Sequence, residues 1–456
     1  MQSIQNIDKE AFRQARLSRD SRFDGIFFIA VKTTHIFCRP ICPANLPKEE
    51  NVDYFLTAAQ AIEAGYRPCL RCHPDSAPKS YRWMGTATTF ERAVKAIEQG
   101  ILTTHSVVEL AEKLGISERY LRQLFDQYLG MSPKRYALYQ QLLLAKQLLH
   151  RSAMSVVDIA FACGFNSLRR FNDAFSKHFM MAPTQLRRQH SSTTSEYTIL
   201  LPYKGKLAWT HMRDFYALRA IDGIEEVTET AYSRHLLHQG QQIKFCISPS
   251  ENSNMKLTFE LEDIRQLRYL ISQVRRQFDL DADTDVIEQH LEQCQPGLVK
   301  LSGIRLPGVW NTWEAGVRAI LGQQVTIKGA IGQLNLLVQT CYEGQPKPWY
   351  FPTPEQIVAL DLSFLRMPNS RKETLKRFAQ FMVEHTDAPV TQWLDVKGIG
   401  PWTVQYAQLR GDGQVDCFLE GDLIVKKAMH QLPNVTTKSV SPWGSYATFH
   451  CWNWLS

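Results

Sequence analysis

The sequence has no apolar run long enough to cross a lipid bilayer, which takes about 20 consecutive apolar residues in a helix. It also lacks a secretory signal, because residues 1–22 are predominantly polar and charged. We therefore expect a cytosolic protein. At 456 residues the chain is too long for one hydrophobic core, and roughly three or four domains are expected.

An excess of positive charge is missing from the second half of the chain. Residues 1–190 carry 26 Lys and Arg against 17 Asp and Glu, whereas the remainder carries 26 against 28. The basic excess therefore lies at the front and indicates a polyanionic partner for that part.

The ten cysteines favour metal ligands or buried thiols over disulfides, because a cytosolic chain is kept reduced. Three residues separate Cys38 from Cys42, two separate Cys69 from Cys72, and 26 lie between the pairs. Such pairs can close a tetrahedral four-thiolate zinc site, and a purely structural zinc ribbon is the simplest interpretation. The other six cysteines are expected in cores: Cys163, Cys246, Cys294, Cys341, Cys417 and Cys451.

The residues around these pairs suggest a more specific role. The strings FDGIFFIAVKTTHIFCRPICPA and AGYRPCLRC resemble the N-terminal domain of Ada, the bacterial methylation-response protein, over about Phe23 to Pro74. The resemblance implies that Cys38 accepts one methyl group from a DNA methylphosphotriester and binds zinc together with Cys42, Cys69 and Cys72. Because no P-C-H-R string is present, we expect no O6-methylguanine-accepting activity.

An internal repeat marks residues 79–190. ELAEKLGI at 109–116 matches DIAFACGF at 158–165, and each copy predicts a helix, a glycine turn and a second helix N-capped by Ser117 or Ser167. A long helix over about 136–149 lies between them. The segment resembles the AraC/XylS transcription activators, which implies two major-groove readers and RNA polymerase as a partner. The candidate DNA contacts are Arg119, Tyr120, Arg122, Gln123, Leu168, Arg169, Arg170, Asn172 and Asp173, whereas Leu121, Leu124, Phe125, Phe171 and Phe175 are expected in the core.

After a polar linker at 190–196 the pattern changes. Alternating apolar residues at 243–247 and 257–261 predict strands, and from Pro307 an apolar stripe with helical spacing predicts a helix. The string GIGPW at 398–402 predicts a tight turn into a helix, whose N–H groups can bind a phosphate. Asp422 follows 22 residues after Gly400.

In order, the strings LPYKGKLAWTHMRDFYALRAIDGIEEV, GIRLPGVWNTWEAGVRAILGQQVT, LRMPNSRKETL, GIGPW and DCFLEGD resemble AlkA, the alkylbase DNA glycosylase, over 196–456. The resemblance implies a DNA-binding hairpin with Gly398 and Gly400, and Asp422 as the catalytic carboxylate. Asp416 is the nearest alternative carboxylate in the sequence. The resemblance also implies a monovalent cation held by carbonyls around Leu394, Val396 and Ile399.

The same resemblance implies a base pocket formed by Trp402, Tyr406 and Trp443, with ordinary core packing as the alternative for each of these aromatics. Trp402 stands where lyase-type relatives place a lysine, so we expect base removal without strand cleavage. Three positions depart from the family pattern: Gln324 at the site of an apolar wedge, Arg366 at a usual glycine, and Gly444 at a usual arginine.

The sequence thus predicts a multidomain α+β protein that acts as a monomer on double-stranded DNA. The expected domains are a small zinc-bound α/β domain (1–78), an all-α double helix-turn-helix domain (79–190), a small β-sheet domain (196–300) and an α-helical helix-hairpin-helix glycosylase domain (301–456). The expected function is excision of alkylated bases such as 3-methyladenine, combined with a methyl-accepting transcription activator. Two alternatives remain: a regulator with an inactive glycosylase half, and a repair enzyme tethered to DNA by its front half.

Overall fold

The computed structural model describes residues 12–13, 16–17, 27–40, 42, 44–55, 60–61, 64–69, 72, 74, 81–98, 100–188, 197–386 and 388–454. The chain forms two compact units, residues 1–138 and 139–456. Among the helices in these ranges, none is long and apolar enough to cross a membrane.

A four-stranded sheet organises the front of the first unit, in the order β3-β1-β2-β4. Its strands are β1 Phe28–Val31, β2 Ile36–Cys38, β3 Val52–Phe55 and β4 Arg67–Pro68. β2 and β4 run parallel, and the backbone N–H of Cys69 donates to the carbonyl of Phe37 at 3.0 Å. This pairing brings Cys38, at the end of β2, beside the second cysteine pair.

The first helix-turn-helix follows in the same unit. Its helices are α1 Tyr81–Glu98, α2 Val107–Lys113, α3 Glu118–Leu129 and the start of α4 Pro133–Arg151. The Ser117 side chain accepts a hydrogen bond from the backbone N–H of Tyr120, which confirms the predicted N-cap. Leu121, Leu124 and Phe125 are buried, as predicted.

The second helix-turn-helix repeats this arrangement with α5 Val156–Ala162, α6 Leu168–Phe179 and α7 Pro183–Arg188. The Ser167 side chain accepts from the backbone N–H of Arg170, so the second predicted N-cap is also confirmed. Phe171 and Phe175 are fully buried, as expected for core positions.

A five-stranded antiparallel sheet follows, in the order β5-β9-β8-β7-β6. Its strands are β5 Thr198–Pro202, β6 Glu225–Val227, β7 Tyr232–His238, β8 Gln241–Ser250 and β9 Asn254–Leu261. The strands predicted at 243–247 and 257–261 are therefore confirmed. The accompanying helices are α8 Trp209–Ala217, α9 Leu267–Gln277 and α10 Thr284–Cys294.

The second helix-turn-helix and this sheet share one hydrophobic core. Leu149 and Ile159 belong to the same buried cluster as Ile199 and Leu257. Ser152 forms a β-bridge with Ile199. The predicted linker at 190–196 lies outside the described residues, and the second compact unit extends across it. The division of the chain at 78, 190 and 300 stays a prediction.

The remaining helices build the back of the second unit. They are α11 Thr312–Gly322, α12 Ile327–Cys341, α13 Pro354–Ala359, α14 Asn369–Glu384, α15 Pro401–Ala407, α16 Leu423–Gln431 and α17 Gly444–Trp454. The predicted stripe of Trp313, Val317, Ile320 and Leu321 lies buried on α11. The multidomain α+β class is confirmed.

A buried ion-pair cluster attaches α11 to the sheet. Arg234 on β7 pairs with Glu314 at 2.5 Å, and Arg318 pairs with Glu225 at 2.8 Å. Each charge is matched, as a buried charge requires. The cluster fixes α11, one wall of the cavity described next, against the sheet.

Candidate active site and DNA-contact sites

A cavity of about 910 Å³ lies in the second unit between α8, α11, α12, α15, α16 and α17. Trp402 and Tyr406, one turn apart on α15, line it with their rings stacked at 5.3 Å between centroids. Trp452 and Phe215 also line it. A cavity of this size can hold a drug-sized ligand and therefore a nucleobase.

Asp422 lines this cavity as the N-cap of α16. Its Oδ1 accepts hydrogen bonds from the backbone N–H groups of Ile424 (2.9 Å) and Val425 (3.2 Å), and from Nε1 of Trp452 (3.1 Å). Its Oδ2 accepts none from the described residues. The carboxylate is thus held in one orientation with one oxygen available to a ligand.

The alternative carboxylate, Asp416, has a different role. Its Oδ2 accepts from the Ser441 hydroxyl at 2.7 Å and its Oδ1 from the backbone N–H of Gly444 at 3.1 Å. It is not among the cavity-lining residues. A Cβ atom at Gly444 would lie 2.9 Å from Asp416 Oδ1, so this departure from the family pattern fits the local packing.

Trp443, predicted as a pocket aromatic, is not among the residues that line the cavity. It packs edge-on against Tyr446 at 6.0 Å, within the apolar cluster beneath α17. Trp452 lines the cavity instead and holds Asp422. Sequence reasoning missed Trp452 and Phe215 because an aromatic residue on a mostly apolar helix looks the same whether it faces a core or a cavity.

The hairpin at 396–400 leads directly into α15, with Gly400 as N-cap and Pro401 as the first helical residue. The backbone N–H groups of Lys397, Gly398 and Gly400 donate no hydrogen bond within the described residues. Gly398 has φ +101° and is exposed. Free amides beside a helix N-terminus suit an anionic oxygen such as a DNA phosphate.

No contact among the described residues supports the predicted monovalent cation at this hairpin. The Val396 carbonyl already accepts from the Ile399 N–H at 3.0 Å. The Lys397 carbonyl accepts from Nη1 of Arg377 at 3.1 Å. The monovalent cation stays a prediction.

In the first unit, the sulfur atoms of Cys38, Cys42, Cys69 and Cys72 lie within 4.8 Å of one another. Zn–S bonds of about 2.3 Å allow one tetrahedral zinc ion to bind four such thiolates, so the donor set fits zinc. Cys42 and Cys69 are buried, and Cys38 is half-buried. Of the other six cysteines, Cys163, Cys417 and Cys451 are buried as expected, whereas Cys246, Cys294 and Cys341 are only half-buried. Cys246 alternates on β8 with the buried Phe245 and Ile247, so its side chain lies on the opposite face of the sheet.

Comparisons with known proteins agree with this organisation. Family models match the metal binding domain of Ada over residues 11–75, a helix-turn-helix domain over 110–189 and the AlkA N-terminal domain over 198–311. A Mycobacterium tuberculosis (strain CDC 1551 / Oshkosh) relative is described as a probable bifunctional transcriptional activator/DNA repair enzyme AlkA. It is 33% identical over 98% of this chain and 97% of its own length.

The chain belongs to this bifunctional AlkA family.

Two further relatives each match part of this bifunctional AlkA family member. DNA-3-methyladenine glycosylase 2 of Escherichia coli (strain K12) is 31% identical over 54% of this chain and 93% of its own length. The bifunctional transcriptional activator/DNA repair enzyme Ada of the same strain is 38% identical over 27% of this chain and 33% of its own length.

The candidate wedge of the bifunctional AlkA chain lies in the loop between α11 and α12. Gln324 is exposed, has φ +55° and does not line the cavity. Its neighbour Val325 does line the cavity and is 46% exposed. The apolar surface at the cavity mouth is therefore supplied by the residue after Gln324.

The candidate helix-turn-helix contacts lie on the second helix of each motif. Arg119, Arg122 and Gln123 on α3 are exposed, as are Arg169, Arg170 and Asp173 on α6, whereas Tyr120, Leu168 and Asn172 are half-buried. Arg122 forms an ion pair with Glu118 at 2.5 Å. The exposed basic residues are available to DNA, and their roles stay predictions.

Proposed function

We propose that this chain is a DNA glycosylase fused to a methyl-accepting transcription activator. The second unit releases alkylated bases such as 3-methyladenine by hydrolysing the N-glycosidic bond. The observation that carries this proposal is the position of Asp422, held through Oδ1 with Oδ2 unpaired, in one cavity with Trp402 and Tyr406. Membership of the bifunctional AlkA family supports it.

The chemistry follows from this arrangement. A flipped base enters the cavity and stacks against the aromatic rings. As the C1′–N bond breaks, its electron pair leaves with the base and the sugar gains oxocarbenium character. Oδ2 of Asp422 stabilises that positive charge and orients the attacking water, which adds its oxygen to C1′ and loses a proton. A positively charged alkylated base leaves readily, so the site needs no strong general acid.

The hairpin holds the DNA backbone beside the lesion. The unpaired amides of Gly398 and Gly400 contact a phosphate, and the predicted monovalent cation binds at the same turn. Gln324 and Val325 occupy the space that the flipped base leaves. Amide dipoles explain how a half with no excess of positive charge binds DNA.

We expect the strand to remain intact after base release. The motif position that would carry a nucleophilic lysine holds Trp402. Lys427 also lines the cavity, but it is exposed on α16 and lies outside that motif position. The product is therefore an abasic site.

The first unit accepts a methyl group at Cys38. Bound zinc keeps the four sulfurs as thiolates. The Cys38 sulfur attacks the methyl carbon, the carbon–oxygen bond breaks, and the phosphate leaves as a diester anion. The Cys72 sulfur accepts a hydrogen bond from the Arg39 N–H at 3.4 Å, which lowers its nucleophilicity and favours Cys38 as the acceptor.

The thioether at Cys38 removes one negative charge, which lowers repulsion from DNA phosphates and strengthens DNA binding by the protein. Arg119 and Arg122 on α3, with Arg169 and Arg170 on α6, contact the promoter, and RNA polymerase is the expected partner. We infer a monomer with the four domains predicted from the sequence.

Duplex DNA methylated with a labelled methyl group tests both activities. Wild-type protein should release labelled 3-methyladenine, leave unbroken strands, and form no adduct with borohydride. It should also carry one labelled methyl group, which Cys38→Ala loses and the matched variant Cys341→Ala keeps. Absence of base release would favour a regulator with an inactive glycosylase half, and label retained on Cys38→Ala would refute the acceptor assignment.

A further inference from the structure

Two of the cavity's guanidiniums, those of Arg219 and Arg410, have no anionic partner among the residues that the structure describes. Three arginines line the cavity: Arg219, Arg318 and Arg410. Arg318 is paired with Glu225 and Glu314. Arg410 donates to the Tyr406 hydroxyl at 2.8 Å and to the Pro307 carbonyl.

Arg219 is bound much less completely. Its guanidinium donates through Nη1 to the Phe215 carbonyl at 3.1 Å, and the remaining guanidinium N–H groups donate to none of the residues that the structure describes. Asp214, the nearest acidic residue in sequence that lines the cavity, is paired with Arg213 at 2.6 Å. Arg219 therefore presents unpaired donors to the cavity.

Stacking holds this guanidinium in place. Its carbon lies 3.6 Å from the centroid of the Phe215 ring, on α8. Burial, and next the charge of Arg410, lower the pKa of Arg219 to about 10, so it stays protonated at neutral pH. The donor is thus charged, oriented and part of the cavity wall.

The two arginines also change what the aromatic rings can recognise. Arg219 and Arg410 both lie over Phe215, and Arg410 lies 5.6 Å from the Tyr406 centroid. These rings already interact with cations, so a cationic base gains little further attraction from them. Discrimination on this side of the cavity rests on hydrogen bonds instead.

We propose that Arg219 reads the flipped base by donating to a carbonyl oxygen. Guanine carries a carbonyl oxygen at C6, where adenine carries an amino group that can only donate. The cavity then favours alkylated guanine over alkylated adenine. An unpaired buried donor is costly, so a site built to hydrogen-bond one group discriminates against the base that lacks it. This inference rests on the proposed glycosylase function and makes Arg219 its specificity-determining residue.

Duplex DNA treated with dimethyl sulfate provides the test, because it contains both 7-methylguanine and 3-methyladenine. Both bases are cations in DNA, so loss of the Arg219 charge affects their release alike, whereas loss of a hydrogen bond to a carbonyl oxygen slows release of 7-methylguanine alone. The initial rates of release of the two bases are measured by chromatography from one reaction with the full-length protein.

Arg219→Ala should lower the ratio of 7-methylguanine to 3-methyladenine release by about tenfold, the effect of one charged hydrogen bond. Arg219→Gln keeps a neutral donor and should retain part of the preference for 7-methylguanine. This variant also tests the inference if Arg219→Ala folds poorly. The exposed Arg366→Ala is the matched control and should keep the wild-type ratio.

If Arg219→Ala released both bases more slowly by the same factor, the inference would be overturned, because a phosphate-binding or structural arginine affects every substrate alike. An unchanged ratio would overturn it as well. A wild-type protein that releases neither base would refute the proposed glycosylase function itself, and that result is separate from any change of ratio.

Discussion

At the scale of single residues, the two hairpin glycines have different reasons to be glycine. A Cβ atom at Gly398 would lie 2.1 Å from Oγ1 of Thr374, and φ is +101°. At Gly400, φ is −109° and a Cβ atom would meet nothing within 4 Å. Gly398 is thus required by the fold, whereas the open space at Gly400 is left for a ligand.

Gly398→Ala should therefore destabilise the second unit by about 2 to 5 kcal/mol, from left-handed strain together with overlap. Gly400→Ala should leave its stability within about 1 kcal/mol of wild type and weaken binding to duplex DNA. Denaturant unfolding and DNA titration measure the two effects. Equal destabilisation by both variants would contradict this distinction.

His450 on α17 is a buried histidine that should make the stability of the second unit depend on pH. It is 1% exposed, and neither ring nitrogen has a hydrogen-bond partner among the described residues. Burial lowers its pKa from about 6.5 to about 4. The unfolded chain therefore binds a proton between these values that the folded chain does not, and stability falls as pH falls through that window.

Wild-type protein should lose about 2 kcal/mol of stability through His450 between pH 7.5 and pH 5. His450→Leu removes the titrating group and should show a correspondingly smaller loss. Denaturant unfolding of both proteins at the two pH values gives the comparison. The same pH dependence in both proteins would show that His450 does not titrate as described.

At the scale of secondary-structure elements, the sequence predicts best what depends on neighbouring residues. The Ser117 and Ser167 caps, Pro401 at the start of α15 and the alternating strands follow from local patterns, and the structure contains each of them. Trp443 and Trp452 illustrate the limit. Which of two tryptophans nine residues apart reaches a cavity depends on how α17 packs, and that is set by the whole unit.

The sequence did not predict the position of Arg219 in the cavity wall, for a related physical reason. A single arginine just after a short amphipathic helix usually extends into solvent. Its enclosure here depends on contacts distant in sequence, among them the packing of α8 beside Arg318 and Arg410.

Because α5 and the five-stranded sheet share one hydrophobic core, a change in the α5 part of that core should lower the stability of the whole second unit. Ile159→Ala opens a cavity in that core and should destabilise the second unit by about 2 to 5 kcal/mol. Base release should then be lost at a lower temperature. Leu110→Ala removes a comparable side chain from the core of the first helix-turn-helix and serves as the control. Heat inactivation of base release that is equal for both variants would argue against the shared core.

At the scale of the whole molecule, the basic excess and the cavity with the candidate catalytic carboxylate lie in different parts of the chain. The basic excess lies in residues 1–190, with the four-cysteine cluster and the helix-turn-helix repeat. The back half has no such excess and relies on a hairpin, a cavity and one oriented carboxylate. The protein thus combines a basic front half, which suits association with the DNA backbone, with a back half of nearly balanced charge that acts on a single base.

The rate of 3-methyladenine release in a single turnover tests the central claim most directly. Asp422→Asn keeps an N-cap residue and should fold normally, but it removes the negative charge and should slow release by about 10²- to 10³-fold. Asp416→Asn changes the nearby carboxylate outside the cavity and should stay within about tenfold of wild type. Equal rates for Asp422→Asn and wild type, or an equal loss in both variants, would contradict the account.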